Sequence, residues 1–321
     1  MQSTNGVRLA VAGVIAAAPS LLVVPAAMGE EPRLGEVVVT AVAIRKSPLE
    51  VAQPTAILTG DELRRQLAGS IGETLSQELG VSSSYFGPTA SRPVIRGLGG
   101  YRVQVLDDGI SSLDASSLSQ DHAVSLESVV SQQIEIIKGP AALLYGSGAA
   151  GGLVNIVSNR IPGERRDDPF SVAAELRGDT ASDERTAALG LDGATGAFAL
   201  HADYFDRETD DVQIPGFAQS RALREQLIDA GEEPSDVRGH IDNTASDTRG
   251  GAAGASYVAD RGLVGGAWSR YESTYGIPGE EAAFIDMEQD RFDAKAEWTT
   301  EGSALDAIRF RGAYNDYTHT E

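Results

Sequence analysis

The sequence contains no cysteine among its 321 residues, which excludes disulfides, a thiolate nucleophile and metal sites built on sulfur. Basic residues are also few, because 26 Lys and Arg stand against 47 Asp and Glu and give a net charge of −21. Such a chain repels phosphate and attracts cations, which argues against nucleic-acid binding through a basic face. Aromatic residues make up only 6%, but the hydrophobic fraction of 41% is that of an ordinary folded protein.

Long apolar runs are absent after residue 29. Residues 1–29 carry Arg8, then an Ala/Val-rich apolar stretch, and small residues near their end. This pattern predicts a secretory signal peptide cleaved near residues 26–29. A transmembrane anchor is the alternative, but Pro19 and Pro25 interrupt the apolar run and no basic flank follows it. The mature chain could then cross a membrane only with β-strands.

A short β-branched run follows within a proline-bearing segment, residues 30–56. The run consists of Glu36, Val37, Val38, Val39, Thr40 and Ala41. An extended, tethered segment of this kind can add as a strand to the sheet edge of a partner, with main-chain hydrogen bonds providing the affinity. The alternative is an ordinary edge strand of the domain that follows.

Residues 57–162 predict a mixed α and β domain. Asp61 can cap a short helix over Glu62–Leu67, and Ser70 with Glu73 forms a capping box ahead of a second helix. Further short helices are expected at Ser125–Val130 and Pro140–Leu144. Short strands are expected at Arg92–Arg96, Arg102–Leu106, Gln133–Lys138 and Leu153–Ser158.

Residues 163–321 change to segments of about ten residues in which apolar and polar side chains alternate. In the clearest one, 291–299, Phe292 and Trp298 share one face while the opposite face is charged. Short turns alternate with long connections, which favours transmembrane barrel hairpins over a soluble β-sandwich. Seven strands are expected, near 170–178, 184–192, 196–206, 248–258, 262–272, 290–299 and 305–317.

The size of this second region limits what it can enclose. About 150 residues build at most eight strands, and an eight-stranded barrel is filled by its own side chains. It could not hold the first domain. Because the last predicted strand would also leave an unpaired edge, we expect the chain to be the front portion of a larger protein.

Two motifs invite a catalytic interpretation and do not support one. Residues 146–151 satisfy G-x-G-x-x-G, but a strand rather than a long helix follows, so we predict a tight turn with positive φ. Asp107 and Asp108 precede Gly109, which is typical of a turn. Neither an H-E-x-x-H, a G-x-S-x-G nor a Walker A motif occurs, so we expect no enzymatic activity.

Several segments resemble a known family. Glu36–Ala41 resembles a TonB box, and residues 93–110 and 134–158 resemble the plug of TonB-dependent outer-membrane receptors. The resemblance implies an α+β plug domain followed by the first strands of an antiparallel transmembrane β-barrel, with 22 strands in the family. It also implies import across the outer membrane and TonB as the periplasmic partner that binds Glu36–Ala41.

Within that family, residues 119–123 resemble the zinc-uptake receptors, as do 131–136, 274–279 and the final Tyr-Thr-His-Thr-Glu. The resemblance implies that Asp121 and His122 are metal ligands and that Zn²⁺ is the transported substrate, with no resident cofactor. Zinc usually takes four ligands in a tetrahedron, so two adjacent residues cannot complete the site. The remaining ligands are expected from the barrel beyond residue 321.

Alternatives remain open. A lone histidine in a loop is often structural, and the long connection 207–247 carries ten acids rather than a histidine cluster. Carboxylates attract divalent cations without selecting one. A receptor for a ferric siderophore or another metal chelate is the second hypothesis, with cobalamin less favoured. A secreted soluble β-rich binding protein or enzyme is the alternative of a different class.

Overall fold

The computed structural model describes residues 54–139, 145, 147–165, 168–279, 283–300 and 305–321. The predicted signal peptide, the run Glu36–Ala41 and the predicted helix Pro140–Leu144 lie outside these residues. Across the described segments, no helix is both long and apolar enough to cross a membrane.

The first part of the described chain builds a five-stranded mixed sheet in the order β1-β6-β7-β4-β5, in which only β4 and β7 are parallel. Its strands are β1 Thr55–Thr59, β4 Val103–Asp107, β5 Ile110–Ser111, β6 Gln133–Lys138 and β7 Gly152–Val157. A separate pair is formed by β2 Val81–Ser83 and β3 Pro93–Ile95. Two short helices, α1 Gly60–Gln66 and α2 Ile71–Thr74, accompany them. Buried Leu, Ile and Val side chains from the helices and strands form the larger apolar core, and Leu106, Ile137 and Leu153 belong to a smaller second cluster.

The local signals of the sequence are partly correct here. The Ser70 hydroxyl accepts a hydrogen bond from the Glu73 N–H, so the Ser70 half of the predicted capping box of α2 is confirmed. The prediction for Asp61 is wrong, because α1 begins at Gly60 and its N-cap is Thr59. Between Ser125 and Val130 only a single 3₁₀ turn forms, at Ser128–Val130. The sequence does not predict β1, since the prolines before it suggested a linker.

The second part is an antiparallel sheet of seven strands in the order β16-β15-β14-β13-β10-β9-β8. These strands are β8 Phe170–Gly178, β9 Arg185–Thr195, β10 Phe198–Thr209, β13 Ser246–Ala259, β14 Gly262–Gly276, β15 Phe284–Thr299 and β16 Ala307–Thr320. All seven predicted strands are present, and most extend further towards the long connections than predicted. The fold class predicted from the sequence, an α+β domain followed by antiparallel barrel strands, is confirmed.

The two faces of this sheet have opposite chemistry. On the outer face, large apolar side chains are exposed at every second position, including Phe292 at 52%, Trp298 at 52% and Tyr314 at 66%. The inner face packs against the first domain and buries Phe205 together with polar residues such as Arg291. A soluble sandwich would cover the apolar face with a second sheet. The structure instead exposes that face, so the sandwich alternative is wrong for the described strands.

Short and long connections alternate between the two ends of the sheet. Two residues link β9 to β10 and two link β13 to β14, whereas the segment between β10 and β13 forms a ribbon of its own. That ribbon contains β11 Gln213–Phe217, α3 Arg221–Ala230 and β12 Arg238–His240, none of which the sequence predicts. The Ser220 hydroxyl caps α3 by accepting the Leu223 N–H.

The glycine motif at 146–151 forms part of the turn ahead of β7. Positive φ is found at Gly152 (143°) rather than at Gly148 or Gly151, so the predicted reason for these glycines is wrong. A Cβ on Gly148 would lie 2.7 Å from the Gln104 side-chain oxygen, and one on Gly151 would lie 2.8 Å from Leu98 Cβ. These glycines allow close packing of the turn. Gly146 lies outside the described residues.

The Asp107-Asp108-Gly109 segment is the predicted turn. It joins β4 to β5 in a two-residue hairpin in which Asp108 (φ 48°) and Gly109 (φ 85°) are both left-handed. The Asp108 carboxylate accepts hydrogen bonds from the Ser158 hydroxyl at 2.5 Å and from the Ser158 N–H at 3.3 Å. The acids are therefore structural parts of the hairpin, as the turn hypothesis predicts.

Asp108 is expected to make stability depend on pH. Burial, followed by the neighbouring Asp107 carboxylate, raises the pKa of Asp108 to about 7. The folded chain thus keeps a proton that an unfolded aspartate, with a pKa of about 3.9, has already lost. The contribution of Asp108 to the free energy of unfolding is fully present below about pH 4 and declines as pH rises through about 7. We expect the thermal midpoint of Asp108→Asn to fall less than that of the wild type between pH 5 and pH 8.

Asparagine suits this test because it tolerates the left-handed conformation and does not titrate. The measurement is the thermal midpoint of both proteins at four pH values. Equal slopes in the two proteins would show that Asp108 is not the group responsible.

Candidate metal centre

His122 lies in the loop between β5 and β6 of the first domain and is only 7% exposed. Two contacts hold this loop. The Tyr275 hydroxyl on β14 accepts the Ala123 N–H at 2.8 Å and donates to the Asp121 carbonyl oxygen at 3.1 Å. The Asp121 carboxylate lies 3.0 Å from the Nδ1 atom of His122. These contacts direct the other ring nitrogen, Nε2, towards β16.

The side chains that meet His122 come from the end of β16. Ile308, Phe310 and Tyr314 are exposed on the outer face, so the odd-numbered residues face inward by strand alternation. His319 Nε2 lies 3.3 Å from His122 Nε2, and Glu321 Oε1 lies 3.1 Å from the same atom. His319 Nε2 and Glu321 Oε1 are 3.8 Å apart. Three donor atoms from two parts of the fold therefore form a small triangle.

The dimensions of this triangle match one face of a zinc tetrahedron. Zinc binds imidazole nitrogen at about 2.0–2.1 Å and carboxylate oxygen at about 2.0–2.2 Å, which sets tetrahedral donor–donor distances near 3.4 Å. The three observed separations, 3.1, 3.3 and 3.8 Å, bracket that value. A single ion can thus lie about 2 Å from all three donor atoms.

The electrostatics of the loop leave His122 able to bind a metal ion. Burial acts to raise the pKa of the Asp121 carboxyl, but hydrogen bonds from Ser119 and His122 outweigh it and leave the pKa below its usual value. An ionised Asp121 keeps the proton of His122 on Nδ1 and leaves the Nε2 lone pair free. Two imidazole nitrogens 3.3 Å apart need a proton or a cation between them. A carboxylate on the far nitrogen of a metal-binding histidine is the usual outer partner of such sites.

The structure thus brings His122 together with His319 and Glu321, and places Asp121 on the opposite ring nitrogen. The sequence predicts the further ligands beyond residue 321, whereas two suitable donors lie within the chain, 197 residues from His122 in the case of His319. The alternation along β16 contains the signal that would have found them. With the apolar residues of β16 facing outward at even positions, His319 and Glu321 must face inward.

A second group of possible ligands lies in the ribbon between β10 and β13. It comprises Asp211, His240 and Asp242, with His240 Nε2 2.6 Å from an Asp242 oxygen. One oxygen of Asp211 already accepts the N–H groups of Thr244 and Ala245, at 2.7 and 3.0 Å. His240 and Asp242 are about half exposed, so this group lies in contact with solvent.

The His122 loop lies in a region that resembles a known domain family. Residues 47–153 match the family described as the TonB-dependent receptor plug domain. Residues 47–153, called the plug below, are therefore similar to the plug domain of TonB-dependent receptors. The loop with His122 lies within this matched region, and the seven-stranded sheet that packs against it is called the wall below.

Known relatives agree with this family. Over 119 residues, 36% of this chain, the sequence is 34% identical to a hemin receptor of Yersinia pestis, of which it covers 17%. Its fold resembles the copper transporter OprC, with a TM-score of 0.65 and 16% identity over 83% of this chain and 37% of that one. It also resembles the siderophore receptor PirA from Pseudomonas aeruginosa, with a TM-score of 0.55 and 19% identity over 83% of this chain and 42% of that one.

The chain spans less than half the length of each of these relatives. At such low identity, the likeness to the solved structures shows the fold of plug and wall and not the substrate. The matched family and these relatives are named as receptors and transporters and not as enzymes, in agreement with the expectation from the sequence. Their names include three different cargoes, so the cargo of this plug has to be argued from its own residues.

Proposed function

We propose that this protein is an outer-membrane receptor that imports Zn²⁺ into the periplasm with energy supplied through TonB. The observation that carries the proposal is the donor triangle of His122, His319 and Glu321. Two imidazoles and a carboxylate are donors that zinc accepts. Three protein donors leave one position for water, which suits an ion that must also be released.

The same triangle argues for an ion rather than a chelate. Haem offers its iron to protein ligands only along the two opposite axial directions, so it cannot accept three donors from one side. A siderophore that saturates its iron leaves no position for a protein nitrogen. Because the three donor atoms lie within 3.8 Å of one another and His122 is buried, the site suits a bare ion.

The surroundings support a place in the outer membrane. The predicted signal peptide would export the chain, and the exposed apolar outer face of the strands fits a lipid environment. In such barrels the longer loops face outward. The donor triangle lies at the end of β16 that adjoins the long connections, so the ion would bind on the outer side of the plug. Glu36–Ala41 would contact TonB on the periplasmic side.

A chelate receptor is the second candidate, favoured by the name of the hemin receptor that shares 34% identity. A copper receptor is a further outcome to test, because Cu²⁺ binds nitrogen and oxygen donors at least as tightly as Zn²⁺. The chelate alternative does not explain why three donors converge on one point, and growth under copper or zinc limitation separates the two ions.

Growth under metal limitation is expected to identify the cargo. A strain lacking the gene should stop growing at a lower concentration of a zinc chelator than the wild type, and added Zn²⁺ should restore growth. Its growth with haem or a ferric siderophore as the iron source should be unchanged. A defect confined to iron or copper limitation would replace the zinc assignment, and recovery of the gene product in the soluble periplasm would contradict the receptor proposal itself.

A further inference from the structure

We infer that Tyr275 is a positioning residue of the zinc site, which fastens the plug loop of His122 to the wall without touching the ion. The inference rests on the proposed function. Its basis is the pair of hydrogen bonds that the Tyr275 hydroxyl makes with the residues on either side of His122.

The two bonds use the full capacity of the phenol. A tyrosine hydroxyl donates one hydrogen bond and readily accepts another. Here it accepts the Ala123 N–H at 2.8 Å and donates to the Asp121 carbonyl oxygen at 3.1 Å. One side chain thus fixes the peptide groups before and after His122. The Asp121 carboxylate, 3.0 Å from Nδ1, then sets the orientation of the imidazole ring.

Burial makes this attachment rigid. Tyr275 is 3% exposed and Ala123 is fully buried, and both belong to one apolar cluster with Ile285 and Met287 of β15. Since buried polar groups require partners, Ala123 N–H and Asp121 C=O depend on the hydroxyl for the bonds it provides. A phenylalanine at position 275 would fill the same space and remove both bonds.

The strand register connects Tyr275 to the other two donors. Tyr275 of β14 pairs with Ile285 of β15, and Met287 of β15 pairs with His319 of β16. Tyr275 and His319 are therefore at the same end of the sheet with one strand between them. The wall holds His319 directly through β16 and holds His122 through Tyr275, so the distance between the two imidazoles is set by one rigid sheet.

Tyr275 differs from a ligand because it should affect the position of His122 and not bind the ion itself. Its hydroxyl is occupied by the loop, so it acts through the position of His122. Loss of the hydroxyl is expected to let the loop shift, which moves one of three donors away from the common point. Removal of a residue that holds a metal ligand in place, without binding the metal, typically weakens metal binding by about 10–100-fold.

The test uses the full-length gene product, purified in detergent, with Zn²⁺ as the titrant. Tyr275→Phe is expected to weaken Zn²⁺ binding by about 10–100-fold. With Co²⁺ as a coloured substitute, the visible spectrum of bound Tyr275→Phe should differ from that of the wild type, because the coordination geometry changes. Loss of stability alone would not alter the spectrum of the bound ion.

Tyr271→Phe is the matched control. Tyr271 lies on the same inner face of β14, is similarly buried, and has its hydroxyl bonded to Ser273 rather than to the plug loop. We expect its Zn²⁺ affinity and Co²⁺ spectrum to equal those of the wild type. An equal loss in both variants would overturn the specific role of Tyr275.

The outcomes separate this inference from the proposed function. If the wild type binds no Zn²⁺, the proposed function fails. If the wild type binds Zn²⁺ and Tyr275→Phe has the same affinity and the same Co²⁺ spectrum, only the role of Tyr275 fails. Should Tyr275→Phe not fold, hydrogen exchange of the wild type decides. A slowly exchanging Ala123 amide supports the bond, and a freely exchanging one overturns it.

Discussion

His122→Ala is expected to lower Zn²⁺ affinity by more than about a hundredfold and to abolish zinc uptake, while the receptor still folds and reaches the outer membrane. The substitution removes the one donor that the plug contributes to the triangle. Loss of a direct ligand should lower the affinity more than the about 10–100-fold that is typical when a hydrogen-bond partner of a ligand is removed. His319 and Glu321, 3.8 Å apart, then remain as two donors and cannot hold the ion tightly. The measurement is Zn²⁺ titration of the purified receptor together with zinc accumulation in cells.

His240→Ala is the matched control for this experiment. His240 is also a histidine beside a carboxylate, but it lies in the ribbon between β10 and β13, outside the triangle. Its substitution should leave tight binding unchanged. His319→Ala should have an effect similar to that of His122→Ala. If His122→Ala retained the affinity of the wild type, the triangle would not be the binding site.

Asp121 allows the same titration to separate an outer partner from a direct ligand. An asparagine can still accept the bond from His122 Nδ1, whereas its amide oxygen is a poor zinc ligand. If Asp121 only orients the ring, Asp121→Asn should bind zinc much more tightly than His122→Ala does. An equal loss in both would make Asp121 a ligand.

Val38→Pro is expected to abolish zinc uptake and leave Zn²⁺ binding unchanged. The proposed role of Glu36–Ala41 is to pair as a strand with TonB, and such pairing needs main-chain N–H groups on the segment. Proline removes one N–H and fixes φ at about −65°, which is poorly compatible with a paired strand. The measurement pairs zinc accumulation in cells with titration of the purified protein.

Val38→Thr is the control for this substitution, because threonine is β-branched and keeps its N–H. It should transport zinc at close to the rate of the wild type. Normal uptake by Val38→Pro would mean that the segment is not the contact with TonB. A loss of binding would show instead that the segment supports the plug.

The barrel strands could be predicted from the sequence because their pattern is local. In 291–299 the alternation of apolar and charged residues defines both faces without any tertiary contact. The ribbon with α3 could not be predicted, since α3 has no buried residue and its stability depends on its caps. The sequence does not predict β1 for a similar reason, because this edge strand depends on pairing with the distant β6, where Thr59 lies opposite Gln133.

Only part of the candidate metal site could be predicted from the sequence. Asp121 and His122 are adjacent, so a resemblance of five residues was sufficient to select them. His319 and Glu321 were visible by strand parity, but nothing in the sequence tells how far along β16 the plug loop reaches. The position of the loop depends on Tyr275, whose hydroxyl joins the loop to β14. Tertiary contacts of this kind become evident only in the folded protein.

The triangle has one corner on the plug and two on the wall. Any motion that pulls the loop of residues 119–123 inward therefore takes His122 away from His319 and Glu321 and divides the coordination sphere. The ion would lose its tight hold in the same step that opens its path, with no separate release mechanism. Under the proposed function, a force that TonB applies at the periplasmic end would both move the plug and release the bound Zn²⁺.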